Sequence, residues 1–423
     1  DTLKCLEEAI ERHGPNDNSF LTCQLMEMVF DHKRREPEVC ARYSAMLTGI
    51  AGRFEQAGNF HGARECWGLR EKWENAGCKP DGARAARAEL AESFVKEAER
   101  ELASETPNHT HASFLLRHAV GILDKSQPDS RPRIAELRRK LEELAEKTRG
   151  EMKGTRHSID VTDIASAARA RVSGKSLPDA MVGLALVTDL PPRAALERNV
   201  RESMKGFIQY LFPAVMIGPG GTRVAVRTGV NPGSDPDDTP VLAEMVKECQ
   251  LYVGMSVVGS IEPAREAVLF EHDLREHQFV PLAWASGFVP PGREEVFGRG
   301  LFAGMKGDFL TAAHLLVPQL ENSIRTILKD NGVNTVLINR TGLDEERDLG
   351  WMLEQPKTKE LFGEDAAFVL RALLLHRFGP HVRDLLAHGT LEPVVLSAPP
   401  GIYLWWLTLR LCYAPLLAKR AAE

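Results

Sequence analysis

The sequence predicts a mainly α-helical protein, with helical hairpins in its N-terminal part and a helical bundle with a small β insert in its C-terminal part. Three observations indicate this class: apolar residues recur at spacings of three and four, short polar turns separate those stretches, and the clearest β pattern is one short segment. Because 423 residues exceed one ordinary core, we expect two or three domains and place their bounds at 1–150, 151–291 and 292–423.

The N-terminal part is expected to form helices that pair as antiparallel hairpins. In its last run Ile134, Leu137 and Leu141 fall on one stripe, opposite a face of Arg, Lys and Glu. The small-residue turn at 57–59 is typical of tetratricopeptide-like repeats, but no fixed period emerges, so an irregular helical domain stays equally open. The predicted runs are Val39–Ala57, Phe60–Ala76, Ala83–Leu102 and Arg133–Thr148.

The middle part carries the β pattern. Two short runs, Val215–Ile217 and Arg223–Arg227, flank the turn Gly218–Gly221 and predict a β-hairpin. No Gly-Lys-Ser or Gly-Lys-Thr follows the turn, which excludes a phosphate-binding loop of that type. The other expectations are a polar linker over 147–175, a helical section over 176–212, a polar loop over 231–239, and a helix over 242–275 broken near 254–263.

The sequence of the C-terminal part predicts the helical bundle. Its apolar tail, Ile402–Ala418, is about long enough to span a membrane, but Arg410 and Pro415 interrupt it. A buried bundle helix is therefore favoured, with a membrane-surface role as the alternative. The other predicted elements are helices over 293–307, 308–331, 365–378 and 382–388, and a short β-branched run over 334–338 that forms either a strand or an extended loop.

Composition restricts the partners that the chain can have. A net charge of −6 argues against coating nucleic acid by bulk electrostatics, so any RNA contact has to come from a local basic cluster. The seven cysteines are scattered and include no Cys-x-x-Cys pair, which favours reduced thiols over zinc knuckles or a disulfide framework. No apolar signal stretch opens the chain, and we expect a cytoplasmic protein with no metal and no cofactor.

The densest cluster of catalytic-type side chains lies at 376–389. Three His and two Arg fall within it, although the chain as a whole is acidic. Gly379 and Pro380 separate two helices, and Gly389 suits a left-handed helix cap, which puts His388 in the last turn. Asp384 lies four positions before His388 and is expected to hydrogen-bond to it, which would fix the tautomer of the imidazole.

A guanidinium and an oriented imidazole are sufficient for RNA cleavage without a metal. Arg383 offers a planar fork that matches a phosphodiester, and His388 can move protons while the ribose 2′-hydroxyl attacks the adjacent phosphorus. We therefore take Arg383, Asp384 and His388 as candidate catalytic residues. The structural alternative is a solvated Arg383–Asp384 pair and a His388 that only stabilises its helix end.

Four more residues are candidates for RNA-binding or supporting roles. Glu321 and Arg325, four positions apart on one helix, can face the motif helix and orient Arg383 or hold phosphate; an ordinary surface ion pair is the alternative. Arg377 and His381 are the weaker candidates, and packing or surface positions are their alternatives.

These motifs resemble those of the HEPN superfamily (higher eukaryotes and prokaryotes nucleotide-binding), in which Arg, a polar residue, three further residues and His end a helix of an all-α bundle. The run LENSIRTIL at Leu320–Leu328 and the later motif also resemble an uncharacterised family within it. One member occurs in a eukaryotic endoplasmic-reticulum RNA-degradation protein, and bacterial members are often grouped with phage-defence genes. The resemblance covers 292–389, and Asp384 stands where Asn is commoner.

The resemblance implies an endoribonuclease that leaves a 2′,3′-cyclic phosphate and acts in phage defence or stress. It also implies RNA as the substrate and a homodimer in which two motifs meet. Many members have lost catalysis, so a non-catalytic scaffold, or an RNA- or nucleotide-binding interaction protein, is the alternative. The long N-terminal helical region is the expected place for a protein partner.

Overall fold

The computed structural model describes residues 2–14, 21–32, 36–123, 130–151, 159–206, 213–217, 223–227 and 239–422. Over these residues the chain is mainly helical, as predicted, with few and short strands. The chain divides into two compact units. The first comprises Asp1–Arg156 with Ile217–Thr222, and the second comprises His157–Met216 with Arg223–Glu423.

The first unit contains helices α1 to α7, and the four predicted runs are all helical. Pro37 and Pro80 begin two of them, because the first turn of a helix does not need the N–H that proline lacks. Asn59 caps another, accepting a hydrogen bond of 3.0 Å from the Gly62 N–H. The helices are α1 (Thr2–His13), α2 (Leu21–Asp31), α3 (Pro37–Gln56), α4 (Phe60–Ala76), α5 (Pro80–Leu102), α6 (His109–Leu123) and α7 (Arg131–Gly150).

Helices of the first unit pack in chain order, α3 on α4, α4 on α5, α5 on α6 and α6 on α7, and α2 also contacts α4. Their apolar faces form two cores. One surrounds Trp73, whose ring meets the edges of Phe30 and Tyr43 at centroid distances of 5.0 and 5.1 Å. The other joins α5, α6 and α7. Consecutive helices thus bury one another's apolar faces. The tetratricopeptide-like repeat stays a prediction.

The second unit contains the helices predicted for the C-terminal part and both β pairs, except that Ile217 at the end of β1 falls in the first unit. Its elements are α8 (Thr162–Ala170), α9 (Leu177–Ala185), α10 (Arg193–Gly206), β1 (Ala214–Ile217), β2 (Arg223–Arg227), α11 (Thr239–Ser256), α12 (Glu262–Glu271), α13 (Val280–Ala285), α14 (Glu294–Met305), α15 (Phe309–Asp330), β3 (Val336–Ile338), β4 (Asp344–Glu346), α16 (Leu349–Glu354), α17 (Pro356–Phe362), α18 (Glu364–Leu374), α19 (Val382–Ala387), α20 (Pro393–Leu396) and α21 (Pro399–Ala422).

The strands form two two-stranded sheets. β1 pairs with β2, as the hairpin prediction required, while its turn at 218–221 lies outside the described residues. The predicted β run over 334–338 supplies β3, which pairs antiparallel with β4 so that Val336 lies opposite Glu346. All three side chains of β4 are acidic and exposed. The strand therefore lacks the alternation of apolar and polar residues by which a strand is recognised in a sequence.

The structure refines two expectations for the middle part. The helix predicted over 242–275 is interrupted near 254–263 as expected, but by a π-helical turn, Val257–Ile261, through which α11 continues directly into α12. A Cβ added at Gly259 in that turn would lie 3.2 Å from Cγ2 of Ile164, so the missing side chain lets α8 approach. The boundary between the two units falls inside the polar linker predicted over 147–175. The end of α7 and all of α8 also lie within that range, and Ala165 and Ala168 of α8 are buried, while 152–158 lie outside the described residues. The loop over 231–238 lies outside the described residues.

The apolar tail forms α21 and lies buried in the second unit, as predicted. The indole of Trp405 donates a hydrogen bond of 2.9 Å to the Leu301 carbonyl, and that of Trp406 donates one of 2.9 Å to Leu184. Among the described residues, one helix segment, Pro399–Ala418, is long and apolar enough to cross a membrane. Its packing against α9, α11, α13, α14 and α15 accounts for that apolar character. The boundary predicted at 291/292 falls within this shared core.

Candidate functional site

The candidate site is built on α19, a short helix that follows α18 and also packs on α15. His381 precedes it with a φ of 50°, a left-handed conformation that is unusual for a non-glycine residue. Gly389 ends it with a φ of 67°, as predicted. The Gly389 and Thr390 N–H groups donate to the carbonyls of Leu386 and Leu385 at 3.1 and 2.9 Å. Both ends of α19 are therefore fixed by backbone geometry.

Arg383 points towards α15 and is held there by carboxylates. Its Nε donates to Oε2 of Glu321 at 3.0 Å, its Nη2 to Oε1 of Glu321 at 3.5 Å, and its Nη1 to Oδ1 of Asp384 at 2.9 Å. Burial lowers the pKa of the guanidinium, but the hydrogen bonds to Asp384 and Glu321 outweigh it and raise the pKa overall. The predicted orienting contact between Glu321 and Arg383 is present.

Glu321 also joins Arg383 to a second arginine. Nη2 of Arg325 donates to Oε1 of Glu321 at 2.8 Å and to the Arg347 carbonyl at 3.2 Å, and Nε of Arg325 lies 3.2 Å from Oε2 of Glu346. Lys329 closes the row with an ion pair of 2.8 Å to Glu346. Positive and negative groups alternate along this row from β4 to α19, so Arg325 is occupied by protein carboxylates and carbonyls.

The expected hydrogen bond between Asp384 and His388 is wrong. Asp384 instead pairs with His381, whose Nε2 lies 2.8 Å from Oδ2, and with Arg383. His381 has a left-handed backbone at the N-terminal end of α19 and lies three positions before Asp384, so its ring contacts the carboxylate from the end of the helix opposite His388. His381 therefore has a positioning contact, and His388 is not oriented by Asp384.

His388 lies at the C-terminal end of α19 and is exposed. Its backbone N–H donates to the Asp384 carbonyl at 3.0 Å. Among the described residues its imidazole makes no side-chain hydrogen bond and no ion pair. The ring is thus accessible to a ligand from solvent or from another protein surface.

Arg377 and its neighbours form a separate feature just before α19. A cavity of about 470 Å³ is lined by Arg377 with His376, Phe378, Arg371 and part of β2. Burial, with the charges of Arg371 and His381, lowers the pKa of His376 to about 4. The Phe378 N–H donates to Nδ1 of His376 at 3.2 Å, so the neutral ring carries its proton on Nε2.

The structure brings Arg383, Asp384, Glu321, Arg325 and His381 into one contact network. The exposed imidazole of His388 lies at the opposite end of α19 from His381, and Arg377 lines the cavity.

Sequence reasoning missed Glu346 and Lys329, which complete the charge row. Glu346 lies far along the chain from its partners, so no helical spacing predicts these ion pairs. The sequence did show Arg325 and Lys329 four positions apart, hence on one face of a helix, and an acidic run later in the chain.

Within the described parts of the chain, no group of three or more His, Cys, Asp or Glu side chains is placed to hold a metal ion. Comparison of the chain with protein families, with curated proteins and with solved structures finds no match.

Proposed function

We propose that the second unit is a metal-independent endoribonuclease whose site is formed by α19 together with Glu321 of α15. One observation carries the proposal: a guanidinium fixed on two carboxylates and an exposed imidazole lie on the same short helix. The resemblance of Arg383, Asp384 and His388 to the HEPN motif supports it from the sequence.

Arg383 retains capacity for a phosphate while it is held. A guanidinium has five N–H donors, and the hydrogen bonds to Glu321 and Asp384 use three of them, which leaves one on each terminal nitrogen. With 35% of its side chain exposed, Arg383 is reachable from solvent. Its fixed orientation suits stabilisation of charge on a phosphorane oxygen, because little reorganisation is needed during the reaction.

His388 is assigned the proton transfers. In the proposed reaction the ribose 2′-oxygen attacks the adjacent phosphorus and loses its proton to a base, and the departing 5′-oxygen gains a proton. An exposed imidazole can serve at either step, and the products are a 2′,3′-cyclic phosphate and a 5′-hydroxyl. Since Asp384 does not orient His388, we infer that bound RNA or a second copy of the chain fixes the ring.

The decisive experiment is RNA cleavage by the purified full-length chain in the presence of EDTA. We expect single-stranded or transfer RNA to be cut with cyclic-phosphate ends, and His388→Ala to lower the rate by on the order of 10²-fold or more. Arg383→Ala should lower it similarly, and Arg383→Lys should recover little, since Lys lacks the planar fork.

His314→Ala is the matched control, because His314 is also an exposed helical histidine of the second unit and bonds only to the Leu310 carbonyl of its own helix. Its cleavage rate should equal that of the wild type. Cleavage that survives both His388→Ala and Arg383→Ala would refute the assignment. So would activity that EDTA abolishes.

The second candidate function is a non-catalytic scaffold that binds RNA, a nucleotide or a protein. The observation that favours it is the neutralisation of Arg383 by two carboxylates, which weakens its attraction for phosphate. In that case the wild type turns over no RNA, yet labelled RNA or AMP shifts its thermal unfolding, or a protein partner co-purifies through residues 1–200.

Homodimerisation and a role in phage defence or stress belong to the same proposal and rest on the resemblance, whereas the cytoplasmic location rests on the scattered spacing of the cysteines. Light scattering coupled to gel filtration measures the first. Plating of phage on cells that express the wild type or His388→Ala measures the second, and protection that needs His388 would support it.

A further inference from the structure

The first unit holds two cysteines in contact. Sγ of Cys23 on α2 lies 3.1 Å from Sγ of Cys66 on α4, although 43 positions separate them in the chain. Both are thiols rather than a disulfide, and both are buried, Cys66 completely. The fold therefore brings together two sulfurs whose spacing in the sequence gives no sign of pairing.

The pair is reachable from one side. Cys23 lines a groove of about 790 Å³ whose other lining residues come from α2, α4, α5 and α6, among them His61, Arg64 and Lys72. Cys66 lies behind it and does not line the groove. A small molecule that enters the groove thus meets Cys23 first.

We propose that Cys23 and Cys66 form a reversible disulfide when a small hydroperoxide, such as hydrogen peroxide, enters this groove. The Cys23 sulfur attacks the peroxide O–O bond, giving a sulfenic acid and releasing water. The Cys66 sulfur then attacks Sγ of Cys23 and expels the sulfenic oxygen as a second water. The two thiols lose two protons and two electrons, which reduce hydrogen peroxide to two waters; a thiol reductant reverses the change.

The order of the two steps follows from the surroundings of Cys66. Cys66 is completely buried and does not line the groove, so a peroxide in the groove meets Cys23 and not Cys66. As the resolving thiol it needs no access to solvent, because its target sulfur already lies in contact.

The disulfide would tie α2 to α4 across the wall of the groove. A loop of this length, closed by a covalent bond, restricts the unfolded chain and stabilises the folded first unit. The modification therefore couples oxidant exposure to the rigidity of the groove, independently of any nuclease activity in the second unit.

The test treats the reduced full-length protein with hydrogen peroxide, alkylates the remaining thiols under denaturing conditions, and maps the peptides by mass spectrometry. We expect a Cys23–Cys66 peptide, a loss of two alkylatable thiols together, and a rise in the melting temperature of the first unit on the order of 5 °C. Dithiothreitol should reverse all three.

Cys40→Ala is the matched control, since Cys40 is buried in the same core but pairs with neither sulfur; it should form the cross-link. Cys23→Ala and Cys23→Ser should each abolish it, and the second guards against a packing defect in the first. A folded, oxidised wild type that retains both thiols, or that links the exposed Cys5 or Cys78 instead, would overturn the proposal.

Discussion

Glu321 on α15 accepts two hydrogen bonds from the guanidinium of Arg383, 62 residues later in the chain, and also accepts one from Arg325. Only 13% of the Glu321 side chain is exposed, so this carboxylate is the most buried charge of the row. Two arginines depend on it, and its removal leaves both partly uncompensated.

Replacing Glu321 by Gln should therefore lower the free energy of unfolding by about 1 to 3 kcal/mol. Because Arg383 is its partner, the double variant with Arg383→Met should lose less than the sum of the two single variants, by about 1 kcal/mol. Urea unfolding at neutral pH measures all three.

The exposed ion pair between Glu276 and Arg299 is the control for this cycle. Its atoms lie 3.3 Å apart, but the two side chains are 51% and 62% exposed, so Glu276→Gln should cost less than about 0.5 kcal/mol. Equal losses for Glu321→Gln and Glu276→Gln would mean that Glu321 does not hold Arg383 in solution.

His376 should make the second unit less stable in mild acid. Its folded-state pKa of about 4 lies below the value of about 6.5 expected in the unfolded chain, so the unfolded chain binds the extra proton first. The stability from the neutral ring is fully present above pH 6.5 and falls as the pH drops towards 4, by at most about 3 kcal/mol. Urea unfolding at several pH values between 4 and 7 measures it.

Two variants separate this proton linkage from the loss of a hydrogen bond. His376→Asn keeps an acceptor for the Phe378 N–H, whereas His376→Phe does not, so His376→Phe should be the less stable at every pH. Neither variant titrates at this position, and both should lose the same part of the pH dependence. A wild-type slope that persists in both variants would assign the effect to other groups.

The fold followed from the sequence wherever one helical face was clearly apolar. Phe60–Ala76 and the two helices around Gly307 have the predicted extents, because their caps and turns are local signals. The sequence predicted an interruption near Gly254 and Pro263 but not its form, because these residues do not indicate whether the chain leaves the helix or continues through a π-helical turn.

The sequence predicted which residues form the site but not which of them contact one another. Arg383, Asp384 and Glu321 were selected by residue type and spacing, and they do meet. The partner of Asp384 depends on the left-handed backbone of His381, which helical spacing rules do not anticipate. Similarly, the contact between Cys23 and Cys66 arises only when α2 packs on α4.

The packing of α21 can be tested through Gly304 on α14. A Cβ added there would lie 2.2 Å from Cδ1 of Trp405, whose indole is buried and bonded to the Leu301 carbonyl. Gly304→Ala should therefore lower the free energy of unfolding by about 2 to 3 kcal/mol, because the ring or the helix has to move within a filled core.

Gly254 on α11 provides the opposite case for the same substitution. A Cβ there would meet nothing within 4 Å, so Gly254→Ala should raise the free energy of unfolding by about 0.5 to 1 kcal/mol through the lower backbone entropy of the unfolded chain. If α21 lies against α14, denaturant unfolding should show a lower free energy of unfolding for Gly304→Ala and a higher one for Gly254→Ala. Two stabilising substitutions would mean that Trp405 is absent from Gly304, as it would be if the apolar helix left the core for a membrane surface.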